Sequence, residues 1–188
     1  CTSVLQVIVH GVTMQISWFQ GGIHFIVTSG GGAYMEWQTL IMYQTLLNVT
    51  DNFRKGDITA FTRVLHADEP DSMDIPTFFV DMECRTKRRY FCGGYRVAQR
   101  PFALRTFLQT PGAVRAEYIF LGETDYIAMS PLLLPRLSSG EVDESILPLC
   151  HKIGYISWQV GDVVIQKDWD GQYNTGPAPT LLRADSLA

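Results

Sequence analysis

Two carboxylates separated by one residue, in Glu123-Thr124-Asp125, are the side chains of this sequence whose spacing best suits metal chemistry. They directly follow the apolar run 117–121, which is predicted to be a strand, so both would lie at its carboxyl end. Carboxylate oxygens are preferred ligands of Mg²⁺ and Mn²⁺, which keep further positions for diphosphate oxygens. Such a cation could neutralise charge on a departing nucleoside diphosphate. The alternative is that the two acidic residues simply end a strand in solvent.

Arg100 is a second candidate, because it precedes Pro101 at the predicted start of a helix. Free backbone N–H groups and the helix dipole favour an anion at such a position. A guanidinium placed there would add a further phosphate ligand. An ordinary surface arginine would show the same pattern.

Two residues of the predicted strand 58–65 and its end could also face a nucleotide, namely Arg63 and His66. For His66 the alternative is a hydrogen bond within the loop that follows. Tyr34 and Trp37 could stack on a base, although aromatic residues on the apolar face of a helix usually belong to the core. The sequence shows no readable Ser/His/Asp arrangement, no P-loop and no GxGxxG motif.

The elements that must position these residues alternate between strand and helix. Apolar or β-branched runs predict strands at 24–29, 58–65, 76–80 and 117–121, and amphipathic spacing predicts helices at 34–49 and from Pro101 to about Gln109. On the first helix, the buried face is expected to carry Trp37, Leu40, Ile41 and Leu47. This alternation is typical of an α/β fold with an open sheet, whose ligands bind beyond the carboxyl ends of the strands. The triple glycine 30–32, His66 and the acidic pair would therefore share one edge.

Composition and charge narrow the class of protein. The chain has 188 residues, of which 46% are hydrophobic and 18% charged, which predicts a globular domain. A net charge of −4 does not predict a nucleic-acid-binding surface. The basic run 85–89 is the local exception and is interpreted as a solvated loop, with a phosphate- or membrane-binding role as the alternative. Four cysteines are present without the short spacing of a zinc site. Cys84 and Cys92 could form a disulfide in an oxidising compartment or remain free thiols.

Four ordered motifs carry a family resemblance: HFIVTSGGGAYMEWQTLIMYQ (24–44), FTRVLHADEPDSMDIPTFFVD (61–81), GGYRVAQRPFALRTFL (93–108) and YIFLGETDYIAMSPL (118–132). Together they resemble the hydroxyproline O-arabinosyltransferases of plants and algae. The resemblance implies a GT-A-like α/β fold, with an open mixed sheet and flanking helices, of which this chain carries the nucleotide-sugar-binding half. The alternatives are a catalytically incompetent remnant or partner-binding module of the same fold, and an enzyme similar to the related serine galactosyltransferases, which share this architecture.

By this resemblance, the chain is expected to transfer L-arabinofuranose from a UDP donor to hydroxyproline of secreted or cell-wall proteins, with retention of configuration. The implied cofactor is a divalent cation, Mn²⁺ or Mg²⁺, and the implied location is the lumenal side of the Golgi membrane. By the same resemblance, Asp125 occupies the position of the family's direct metal ligand. Glu123 is expected to contact the metal, the ribose or a water molecule. The residues assigned to UDP-sugar binding are Thr28, Ser29, Arg63, His66, Arg100 and Glu123.

The four motifs also predict the domain organisation. Residues 1–22 are expected to be an N-terminal extension, 23–132 the donor-binding region, and 133–188 a divergent C-terminal region with a weakly ordered tail. The run 4–19 is too short and too mixed to span a membrane as a helix, so a membrane anchor is expected only in a part that precedes this chain. The acceptor is expected to be a hydroxyproline-rich protein or peptide.

Overall fold

A computed structural model describes residues 4–9, 12–17, 21–84, 92, 96–147, 149–150 and 180–187. Among these residues, the α-helices are α1 (Ala33–Thr50) and α2 (Arg100–Leu108). The strands are β1 (Val4–Val9), β2 (Val12–Ser17), β3 (Ile23–Gly30), β4 (Ile58–Ala67), β5 (Thr77–Asp81), β6 (Tyr118–Gly122), β7 (Leu149–Cys150) and β8 (Thr180–Arg183). Short 3₁₀ helices span Arg96–Gln99, Glu144–Ile146 and Ala184–Leu187.

Six of these strands form one mixed sheet, in the order β5-β4-β3-β6-β8-β7. The first four strands in this order, from β5 to β6, are parallel, whereas β8 pairs antiparallel with both β6 and β7. The predicted α/β class with an open mixed sheet and flanking helices is confirmed. β1 and β2 form a separate antiparallel hairpin within the predicted N-terminal extension.

The core lies on both faces of the sheet, because alternate residues of β3 point in opposite directions. On one face Phe25 and Val27 belong to a cluster with Met42 and Leu46 of α1. On the other, Ile26 packs in a cluster with residues of α2 that include Phe107. Both helices are thereby fixed against the central strand, and both begin at the edge where the parallel strands end.

The buried face of α1 differs from the predicted one. Trp37 is 58% and Leu40 46% exposed, and Ile41 is also exposed, so the expectation of a face through these residues was wrong. The face that packs on the sheet carries Thr39, Met42, Leu46 and Thr50. Burial of the two threonines is possible because their hydroxyls donate to the helix carbonyls of Met35 and Leu46, at 2.6 and 2.7 Å.

His24 is a buried polar residue at the start of the central strand. Its Nδ1 accepts the backbone N–H of Arg115 at 3.1 Å, so its Nε2, 2.8 Å from the Thr62 hydroxyl, carries the proton of the neutral ring. Burial, together with the nearby charge of Arg115, lowers the pKa of His24 from 6.5 to about 4.

This lowered pKa predicts a loss of stability in mild acid. Between pH 6.5 and about 4, His24 is protonated in the unfolded chain but stays neutral in the native protein. The contribution of His24 to the free energy of unfolding is therefore fully present above pH 6.5 and is lost as the pH falls to 4. At about 1.4 kcal/mol per pKa unit, the loss approaches ~3 kcal/mol. Urea denaturation at a series of pH values measures it. His24→Gln, which cannot take up the proton, is expected to show a shallower slope, and equal slopes would contradict the assignment.

The segment near the C-terminus is partly built into the sheet. Thr180–Arg183 lie within the region predicted to be a weakly ordered tail, yet Leu181 and Leu182 are buried, one in each core cluster. For these four residues that expectation does not hold, because the edge of β6 supplies hydrogen-bonding partners that no local pattern shows.

Cys84 and Cys92 form a disulfide, which decides between the two alternatives for this pair. None of the helices in the described part of the chain is long and apolar enough to cross a membrane.

Candidate functional site

The carboxyl edge of the parallel strands holds a cleft with a volume of about 280 Å³. The register places Gly30 of β3 beside His66 of β4, while β6 ends at Gly122 opposite Val27. The cleft is lined by Gly30, Tyr34, Met35, Gln38, His66, Val97, Arg100, Glu123, Thr124 and Asp125. Of the residues predicted to share one edge, Gly30, His66 and the acidic pair line this cleft, whereas Gly31 and Gly32 line a second cleft beside it.

Arg100 and Glu123 form a two-pronged ion pair within this cleft. Arg100 Nη1 donates to Glu123 Oε1 at 2.7 Å, and Nη2 lies 2.5 Å from Oε2. Both side chains are about one-fifth exposed, so solvent still reaches the pair. α2 continues directly from the 3₁₀ helix Arg96–Gln99, so Arg100 does not start an isolated helix. Because both Nη atoms contact Glu123, this carboxylate orients the guanidinium. The planar, two-pronged guanidinium is also suited to binding a phosphate.

Asp125 lies beyond the end of β6 with its side chain exposed in the cleft. The intervening Thr124 is buried, which holds the backbone of the triplet against the protein. Gly122 just before it allows a close approach, because a Cβ there would lie 2.8 Å from the ring of Phe25. Gly122 was not singled out by its sequence, since only the position of the Phe25 ring reveals the need for glycine.

His66 is buried between two clefts. Its Nδ1 lies 3.1 Å from Oε1 of Gln99, and the ring lines both the cleft just described and a second cleft of about 320 Å³. The second cleft is polar and includes Gly31, Glu36 and Asp68–Asp71 along its walls. His66 is thus fixed in orientation by Gln99, the residue that leads into α2.

Three residues predicted to bind the donor lie behind the cleft. Ser29 is fully buried and accepts a hydrogen bond from Arg63 Nη2 at 3.3 Å, and Thr28 is half-buried in the same strand. Arg63 is also fully buried, and its Nη2 lies 2.7 Å from Oδ2 of Asp71. In the part of the chain that the structure describes, the clefts are lined by other residues than Thr28, Ser29 and Arg63. The structure therefore brings together His66, Arg100, Glu123 and Asp125.

Tyr34, which the sequence offered either as a base-stacking residue or as part of the core, lines the cleft. It is 68% exposed, and its ring stacks on that of Trp37 with centroids 6.2 Å apart. Gly32 just before the helix has a φ of 108°, a conformation that favours glycine and turns the chain from β3 into α1. This turn carries Tyr34 to the mouth of the cleft.

The donor atoms in the cleft suit a hard divalent cation, although they are few. Both oxygens of Glu123 are directed at Arg100, which leaves Asp125 as the exposed carboxylate. Among the residues that the structure describes, no group of three or more His, Cys, Asp or Glu side chains could hold a metal ion. A cation bound by Asp125 would take its other ligands from diphosphate oxygens and water, as Mg²⁺ commonly does.

Comparison with known proteins connects this geometry to a family. The family model described as the hydroxyproline O-arabinosyltransferase family N-terminal domain matches residues 23–188. The chain belongs to the hydroxyproline O-arabinosyltransferase family. The match begins at the first residue of β3, includes the whole six-stranded sheet, and continues beyond Leu132, where the resemblance of the four motifs ends.

Three curated members of the hydroxyproline O-arabinosyltransferase family are similar to parts of the chain. PLENTY of Lotus japonicus is 36% identical over 118 residues, which are 62% of this chain and 30% of that protein. RDN1 of Medicago truncatula is 34% identical over 131 residues, or 69% of this chain and 34% of that protein. NOD3 of Pisum sativum is 36% identical over 118 residues, or 62% and 33%. The matched region spans about a third of each relative.

Proposed function

We propose that this chain binds the nucleotide-sugar donor in a glycosyltransferase that transfers L-arabinofuranose from UDP to hydroxyproline of secreted or cell-wall proteins. The observation that carries the proposal is the meeting of Arg100, Glu123 and Asp125 in one cleft at the carboxyl ends of parallel strands. Open α/β sheets bind their ligands at this edge. Membership of the hydroxyproline O-arabinosyltransferase family supports the choice of reaction.

The proposed roles follow from the contacts of each residue. Asp125 would hold Mn²⁺ or Mg²⁺, and a bound cation supplies neutralisation of charge on the departing nucleoside diphosphate. Arg100, kept in place by Glu123, would donate hydrogen bonds to the diphosphate. The exposed ring of Tyr34 offers a flat apolar face to a base or sugar. His66, oriented by Gln99, would offer the edge of its ring to the nucleotide.

Burial of Arg63 gives it and Ser29 a supporting role in this proposal. Their hydrogen bond joins the end of β3 to the middle of β4, and Arg63 also pairs with Asp71 in the loop after β4, so the two residues would position the end of β3 and this loop. The Cys84–Cys92 disulfide supports an oxidising compartment, and we propose the Golgi lumen, with hydroxyproline-rich proteins as acceptors.

The proposal is tested by the melting temperature of the purified chain with UDP and Mn²⁺. A ligand at 100 times its Kd stabilises the native state by about 2.7 kcal/mol. For a domain of this size, that corresponds to a rise of roughly 5–11 °C. EDTA is expected to reverse the rise, since the diphosphate then loses its cation.

Two comparisons sharpen this test. UDP-arabinofuranose and UDP-galactose distinguish an arabinosyltransferase from the related serine galactosyltransferases, because only the sugar differs. CMP with Mn²⁺ controls for unspecific nucleotide binding. A chain that unfolds cooperatively but shows no shift with UDP and Mn²⁺ would contradict donor binding and favour a non-catalytic module of the same fold.

A further inference from the structure

Besides the two clefts, an apolar pocket lies on the α1 face of the sheet and has a volume of about 550 Å³. Its floor is formed by the rings of Phe25 and Phe120, whose centroids are 4.8 Å apart, and its side by Met42 and Leu46 of α1. The volume lies within the range of about 300–1,000 Å³ that is typical of small-molecule sites. In the described lining, Asp125 is the one residue that this pocket shares with the cleft of the proposed donor site.

The outer wall of the pocket is the segment 126–134, here named the strap. The strap is anchored to α1 where the N–H of Ala128 donates to the Thr45 hydroxyl at 3.2 Å. At its other end, the N–H of Leu134 donates to the carboxylate of Asp57 at 2.7 Å. Because both ends are tied to the fold, the space beneath the strap is built into the structure.

Asp125 connects the two sites, because it lines both the donor cleft and the apolar pocket. Among the described residues in the pocket wall, Asp125 is the only charged one. A nucleotide carries several negative charges and would find no cation in the pocket, so the apolar walls suit an uncharged group. A molecule in this pocket would nevertheless reach the carboxylate proposed to hold the cation.

We propose that this pocket binds the acceptor, with a pyrrolidine ring of a hydroxyproline-containing peptide packed against Phe25 and Phe120. This inference rests on the proposed function, because it names the binding site of the acceptor for that reaction. Proline-rich segments adopt an extended polyproline helix and dock in apolar grooves lined by aromatic rings. A ring held there brings its hydroxyl to the side of Asp125 at which the two sites meet.

Binding of a fluorescently labelled hydroxyproline hexapeptide to the full chain, followed by anisotropy, tests the proposal. Leu133→Asp places a charge on the pocket wall, and Ser130→Trp fills the pocket with a bulky ring; both positions are exposed, so folding is expected to persist. Each substitution is expected to raise the Kd of the peptide about tenfold, the range of a buried contact at the centre of an interface. Met129→Asp is the matched control, because Met129 is an exposed strap residue outside the pocket lining.

The outcomes separate this inference from the donor proposal. The pocket variants are expected to keep the melting shift with UDP and Mn²⁺ while binding the peptide weakly. No peptide binding by the wild-type chain, or equal binding by the pocket variants, would overturn the acceptor site even if UDP still binds. Displacement of the peptide by UDP and Mn²⁺ would assign the pocket to the nucleotide and also overturn it. Peptide binding without a UDP shift would support the pocket and contradict the donor site.

Discussion

Asp125→Asn is expected to abolish the rise in melting temperature that UDP produces with Mn²⁺, removing the full stabilisation of about 2.7 kcal/mol at a ligand concentration of 100 times Kd. The substitution keeps the size of the side chain but replaces a charged carboxylate by a neutral amide, a much weaker ligand for a hard cation. Because Asp125 is exposed, the melting temperature without ligand is expected to stay nearly unchanged, within about 0.5 kcal/mol of stability. Differential scanning fluorimetry measures both quantities.

Asp74→Asn is the matched control for this experiment. Asp74 is also an exposed aspartate, but it lies in the loop before β5 and lines none of the described clefts, so the control removes the same charge elsewhere. Glu123→Gln tests whether UDP binding depends on the ion pair between Glu123 and Arg100, because it weakens this pair while leaving Asp125 intact. A full Mn²⁺-dependent shift in Asp125→Asn would exclude Asp125 as the ligand of the cation.

Asp71→Asn is expected to lower the free energy of unfolding by about 3–5 kcal/mol, which is the cost of stranding a buried charge when its partner is removed. Arg63 is fully buried, and Asp71 is only 15% exposed. The remaining contacts of the guanidinium are weak, namely the hydroxyl of Ser29 at 3.3 Å and the sulfur of Met73. Urea denaturation with the disulfide intact measures the loss.

A double-mutant cycle tests whether the effect belongs to the ion pair. Arg63→Met removes the buried cation, so the double variant with Asp71→Asn is expected to recover much of the stability lost by Asp71→Asn alone. Asp74→Asn in the same loop is expected to change stability by less than about 0.5 kcal/mol. A loss below about 1 kcal/mol in Asp71→Asn would mean that Arg63 does not depend on this partner.

The sequence predicted the elements of the fold whose signal is local. β3, β4, β5 and β6 could be located because each is a run rich in apolar and β-branched residues bounded by turn residues, and α2 because Pro101 opens it. Parallel pairing follows from the alternation of strands and helices. The meeting of Gly30, His66 and the acidic pair at one edge could therefore be predicted from strand ends, whereas the place of Arg100 beside them depends on its ion pair with Glu123.

Features that depend on distant partners could not be predicted in this way. The buried face of α1 depends on threonine hydroxyls that bond within the helix, so hydrophobicity alone selected the wrong side. Arg63 was predicted to face a ligand, and its burial became visible only once Asp71, eight residues later, was placed beside it. The apolar pocket is likewise a product of the strap, whose position is set by Thr45 and Asp57.

The place of β8 beside β6 has a consequence for how the protein tolerates truncation. β8 pairs along β6, the strand that carries Glu123 and Asp125 at its end. Without residues 180–183, the outer backbone N–H and C=O groups of β6 would lose their partners and form an open sheet edge. Such edges are templates for pairing with another polypeptide chain. A shortened protein would therefore tend to self-associate at the strand on which the proposed donor site depends.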